Sequence, residues 1–183
     1  MTKNNYRVVT AGLEFPEGPI AMNDGSIILV EIKRGTLTRV LPSGAQEVVA
    51  ELGGGPNGIA IGPGGKCYVC NNGGFDWHTD TAGNRPTLQP ANYSGGRIEV
   101  VDLDTGVVEV LYSEVDGVPL SGPNDIVFDG QGGFYFSDLG KVRRHDQDRG
   151  RVLYAKADGS FIGTLAAPVE MPNGVGLSPD EST

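Results

Sequence analysis

The sequence predicts an all-β protein of the β-propeller type, and three observations predict it. A short motif returns four times, as Pro16-Glu17-Gly18-Pro19, Pro56-Asn57-Gly58-Ile59, Pro123-Asn124-Asp125-Ile126 and Pro172-Asn173-Gly174-Val175. The copies start at 16, 56, 123 and 172, giving spacings of 40, 67 and 49 residues. Periods of about 40–50 residues with several strands each are those of propeller blades. Glycine makes up 29 of 183 residues, well above the usual ~7%, and helical periodicity is scarce.

Each copy of the motif opens a set of strands. The first two copies align without a gap from Pro16 against Pro56 through Glu31 against Asn71. In copy one an apolar strand leads to the turn Asn23-Asp24-Gly25, a second strand over 26–30, and β-rich stretches at 36–41 and 46–51. Copy two turns at Pro63-Gly64-Gly65 and continues over 66–70, 96–102 and 107–112, the last two joined by Leu103-Asp104-Thr105-Gly106. Copy three turns at Gly130-Gln131-Gly132 and continues over 133–137, 151–156 and 160–165. Its last two strands meet at Ala157-Asp158-Gly159, where Asp-Gly suits the positive φ of a tight turn. The long second period is explained by one insertion over 71–94, rich in Gly, Asn, Thr and Pro, which reads as a loop.

Copy four reads as a strand from Val175 and the turn Pro179-Asp180-Glu181. The chain thus holds about three and a half four-stranded blades in a single domain over 1–183. A half-built blade leaves an unpaired edge, and propellers close with about four to eight blades. The expectation is the N-terminal part of a longer protein, inactive by itself.

Composition narrows the function. The formal charge is −9, and apart from Lys141, Arg143 and Arg144 the bases are scattered, so a phosphate backbone is not the expected partner. An acidic chain suits a bound cation better. The sequence lacks an apolar run near the ~18 residues of a membrane span, and its start lacks a signal-peptide pattern. A cytoplasmic protein without a membrane or nucleic-acid partner is expected. Cys67 and Cys70 form a C-x-x-C spacing, but residues three apart on a strand point to opposite faces. They are read as two small buried hydrophobes.

Together, Glu17-Gly18-Pro19, Gly122-Pro123-Asn124-Asp125 before Phe128-Asp129-Gly130, Tyr135-Phe136-Ser137-Asp138, and Pro172-Asn173-Gly174 before Leu177-Ser178-Pro179-Asp180 resemble the SMP-30/gluconolactonase/luciferin-regenerating-enzyme family over residues 13–183. The resemblance implies a six-bladed propeller with a divalent cation at the top of its channel. By that likeness Glu17 and Asn173 match metal ligands. Asn124 matches an asparagine near metal and substrate, sometimes a ligand. A further ligand and general base, an aspartate, is implied beyond Thr183. Asn57 shares the position without a clear family role.

Oxygen-only donors suit Ca²⁺ first, with Mg²⁺, Mn²⁺ or Zn²⁺ as alternatives. Such a cation polarises a carbonyl and acidifies a bound water. The implied activity is hydrolysis of a sugar lactone. A non-catalytic metal- or sugar-binding propeller, or an esterase or phosphoesterase, remains open, since fold alone does not fix function. Asparagine after proline also caps turns, whereas a buried Glu17 would need a cation. The remaining substrate-binding candidates are Trp77 and His78, in the aromatic insertion with Phe75 and Tyr93, and Asp138 at a strand end. Asp138 equally suits a turn cap.

Overall fold

The computed structural model describes residues 6–181. The first sheet consists of β1 (Pro16–Ala21), β2 (Ile27–Glu31), β3 (Thr36–Val40) and β4 (Gln46–Glu51), hydrogen-bonded in chain order. The second contains β5 (Pro56–Ile61) and β6 (Cys67–Asn71). The insertion follows, folded as a hairpin of β7 (Trp77–Asp80) and β8 (Gly83–Pro86), and the sheet resumes with β9 (Arg97–Val101) and β10 (Val108–Tyr112). A small hairpin, β11 (Glu114–Val115) and β12 (Val118–Pro119), leads to the third sheet of β13 (Pro123–Phe128), β14 (Gly133–Asp138), β15 (Gly150–Lys156) and β16 (Ile162–Val169). All ladders are antiparallel. Three four-stranded meanders in succession are propeller blades.

Strand alternation builds the core between the sheets. Cys67 and Val69 of β6 face blade one and join Ile28, Val30, Leu37 and Ala50. Tyr68 and Cys70 face blade three and join Ile98, Phe134, Phe136, Leu153 and Ala155. The second sheet is therefore apolar on both faces. The two cysteines are free, buried and in different clusters, and burial pushes the Cys67 thiol up to about 12. The reading as small core residues holds.

Three elements depart from the sequence reading. The insertion is a hairpin rather than plain loop. The Asp116-Gly117 turn between β11 and β12, with φ of 52° and 74°, has the paired positive φ of a tight hairpin. The fourth copy forms no strand among the described residues, which give it no ladder partner. It is held instead by Ser137 Oγ donating to Asn173 O at 2.7 Å and Val175 N donating to Asp125 Oδ2 at 3.0 Å. Nor does any described helix have the length and apolarity to cross a membrane.

A second recurring position bolts each blade. Glu31, Asn71 and Asp138 end the second strands, opposite Pro16, Pro56 and Pro123, and are almost fully buried. Glu31 accepts from Glu14 N, Arg34 and Thr38 Oγ1. Asn71 accepts from Gly55 N and Gly73 N and donates to Gly53 O and Glu99. Buried polar groups are tolerable only when satisfied in this way.

Candidate active site

The repeated motif sits on the first strand of each blade, and the ladder breaks there each time. Register shifts fall between Glu17 and Ile20, Pro56 and Ile59, and Pro123 and Ile126. In blade two Asn57 and Gly58 together stand opposite Cys70, and in blade three Asn124 and Asp125 stand opposite Ser137. Such bulges take a side chain out of strict alternation and re-aim it.

In blades one and two the residue after the slot is glycine because the inner strands crowd one another there; in blade three it is Asp125. A Cβ at Gly58 would lie 2.5 Å from Asn124 O and 2.6 Å from Asp125 Cα. One at Gly18 would lie 3.0 Å from Ile59 N, and Gly18 also needs its φ of 57°. Gly58 and Gly174, by contrast, have no positive φ. Gly58 is required by close approach, not by turn geometry.

This crowding brings the four slots together. Glu17, Asn57, Asn124 and Asn173 line one pocket of about 110 Å³ with Gly18, Gly58 and Asp125. That is room for a cation with waters at about 30 Å³ each. Asn124 is buried, whereas Glu17 and Asn173 are exposed and Asn57 is half-buried. Exposed Glu17 pays no burial cost here, so that argument for a cation lapses. The Glu17 carboxylate accepts only a long 3.3 Å bond, from Gly18 N, in the described geometry. Asp125 is engaged, its carboxylate accepting from Ile126 N and Val175 N. No three His, Cys, Asp or Glu side chains cluster among the described residues. The donor set is one available carboxylate and three amide oxygens, which fits a hard cation better than a thiophilic one.

A wider cavity of about 330 Å³ shares all four slot residues. Its other walls are mainly apolar: Phe15, Ile32, Phe75, Pro86, Leu139, Val142 and Met171. Phe75 and Pro86 come from the insertion, which is fastened to blade three. Gln89 N donates to Val142 O, and Tyr93 OH donates to Ser121 O. Lys141 is buried behind this wall. Its Nζ donates to Gly74 O at 2.6 Å and Asn72 Oδ1 at 3.1 Å, and lies 3.9 Å from the Phe75 ring centre. Burial pulls this amine down to about 7 against the opposing pull of Asp138 and Asp148.

Of the substrate-binding candidates, Asn124 lines both cavities, whereas Asp138, Trp77 and His78 line neither. Asp138 is the third blade bolt: its carboxylate accepts from Ser121 N, Gly122 N and Arg151. The cap reading replaces the ligand reading, because those donors occupy both oxygens. Trp77 packs behind the wall, tilted against Phe15 at 5.1 Å and edge-on to Phe75 at 6.3 Å between ring centres. His78 is exposed beside Asp80. Lys141 is the residue that motif reading missed, whereas Phe75 of the aromatic insertion lines the wider cavity. An aromatic cluster marked Phe75's neighbourhood, whereas nothing local marked Lys141 as buried.

The family model described as SMP-30/gluconolactonase/LRE-like region matches residues 15–183, nearly the whole chain. The chain belongs to this family. Within it, the chain is 29% identical over 170 residues to the lactonase drp35 of Staphylococcus saprophyticus, covering 91% of this chain and 46% of that protein. It is 24% identical over 196 residues to the gluconolactonase of Zymomonas mobilis, covering 96% and 49%. The chain spans about half the length of these curated relatives. The solved gluconolactonase of Xanthomonas campestris superposes with a TM-score of 0.69 at 20% identity, covering 92% of this chain and 52% of that one. That likeness establishes the β-propeller fold.

Proposed function

We propose that this SMP-30/gluconolactonase-family chain forms the cation-binding part of a lactonase pocket in which water opens a lactone ring. The observation that carries the reading is the meeting of four repeat positions, one carboxylate and three amides, in one pocket. Glu17, Asn173 and Asn124 would hold the cation, with Asn57 beside them. Ca²⁺ is the first candidate on donor type.

When bound, the cation supplies Lewis acidity toward the lactone carbonyl. The chain's own residues bind and orient. Glu17 contributes the negative charge, and the amides add neutral oxygens without further charge repulsion. Asn124, fixed by the bulge and by burial, also has an NH₂ group able to orient a substrate oxygen. In the reaction a water oxygen bonds to the acyl carbon, the ring acyl C–O bond breaks, and the released alkoxide takes up a proton to give a hydroxy acid. The proton from water needs a base. Glu17 serves the cation and Asp125 is engaged by Ile126 N and Val175 N; the family resemblance implies an aspartate as that base.

The test is lactone hydrolysis by the protein before and after exhaustive chelation, with Glu17→Gln as the variant. Loss of at least about tenfold in kcat/KM in both cases, restored by adding cation to the wild type alone, is expected. An unchanged rate after chelation would overturn the reading.

A further inference from the structure

The cavity's apolar walls bear on substrate class, resting on the lactonase reading. Its four slot residues lie together, while Phe15, Ile32, Phe75, Leu139 and Val142 make most of the remaining lining, with Thr87 the other polar side chain. A lactone with several hydroxyls would bring groups that need hydrogen-bond partners to walls that supply few. A hydrocarbon substituent would instead replace water there.

Phe75 is the wall residue that the chain takes most trouble to place. It comes from the insertion and not from a blade. The Lys141 ammonium sits on the Phe75 ring, at 3.9 Å, and its protons go to Gly74 O and Asn72 Oδ1. The Tyr93 ring lies 5.4 Å from the same amine. The backbone of Lys141 is fixed in turn, exchanging bonds with Asp148, which is held by Arg143. A buried amine facing a ring and two oxygens of the insertion is a clamp between that insertion and blade three.

We propose that Lys141 is a positioning residue that fixes Phe75 as the apolar wall of the cavity, selecting lactones with a hydrocarbon substituent over polyhydroxylated ones. Lys141 touches no reacting atom in this scheme; it acts through Phe75.

Trp77, the chain's single tryptophan, makes tilted and edge-on ring contacts with Phe15 and Phe75 and reports on the wall. The experiment titrates the 183-residue chain with δ-decalactone and with D-gluconolactone while following Trp77 emission. Each methylene moved out of water strengthens binding about fourfold, so δ-decalactone should half-saturate at a concentration at least about tenfold lower. In Lys141→Met and in Phe75→Ala the ratio between the two lactones should fall toward one. Simple loss of stability would weaken both ligands alike, so the ratio isolates positioning. If Lys141→Met does not fold, Lys141→Arg, which keeps a cation on the ring, should retain the preference that Phe75→Ala loses. Equal or inverted preference in the wild type, or a preference that survives in Phe75→Ala, overturns the proposal. Turnover of both lactones is measured separately. A binding preference without turnover would refute the lactonase reading and leave the wall's selectivity standing.

Discussion

A methyl group at position 58 would measure how tightly the inner strands are crowded around the slots. Its closest neighbours would be backbone atoms of blade three, at 2.5 and 2.6 Å, which cannot swing aside as a flexible side chain can. Gly58→Ala should therefore cost about 1–3 kcal/mol in overpacking, read as a lower denaturant midpoint. Gly174→Ala is the control: its Cβ would meet only Asp125 Oδ2, at 3.8 Å, and should fall within about 0.5 kcal/mol of wild type. Equal costs at the two sites would refute the crowding argument. The slot itself was legible because proline and the following oxygen-bearing side chain recur at blade spacing. The crowding was not, since Pro-Asn-Gly reads equally well as a turn that wants positive φ. Asp138 carried two readings, substrate ligand and turn cap, for a related reason. Glu31, Asn71 and Asp138 end the aligned second strands but differ in type, and their shared burial opposite the motif prolines shows only once the ladders are paired.

Blade strands could be read from local alternation and turn residues because each pairs with a sequence neighbour. The bulges could not, since a register shift is a relation between two strands. The docking of the insertion was hidden more deeply, as Lys141 reaches partners 67 and 69 residues away. That clamp carries a pH signature. Lys141 titrates near 7 in the folded chain against an ordinary 10.5, so between those values the unfolded chain binds more protons. The stability cost of the buried charge is full below pH 7 and is relieved as pH rises above it. Between about pH 7 and 8.5, below the ordinary cysteine value of 9.0, the stability of wild type relative to Lys141→Met should climb by up to about 1.4 kcal/mol per pH unit. Denaturant titrations of both proteins across that window check it. A pH-independent difference would mean that the amine does not lose its proton there.

At the scale of the whole molecule, the second sheet is shared property. One face completes the core with blade one and the other with blade three, so the blades have no private interiors. The pocket has the same character: Glu17, Asn57 and Asn124 come from three blades, and Asn173 from the segment bonded to the third. A cation held by these residues would tie successive blades together and would bind the folded arrangement far better than the unfolded chain. Linkage then requires stabilisation that grows with the logarithm of free cation, about 2.7 kcal/mol at one hundred times Kd. The melting temperature of the 183-residue chain should thus rise with added Ca²⁺ and fall back on chelation, while Glu17→Gln should flatten the response. Surface screening by salt makes a different signature, because it would act equally on the wild type and on Glu17→Gln and would follow ionic strength rather than the identity of the cation. A melting temperature indifferent to Ca²⁺, Mg²⁺ and Mn²⁺ alike would show that these four slots do not bind a cation by themselves.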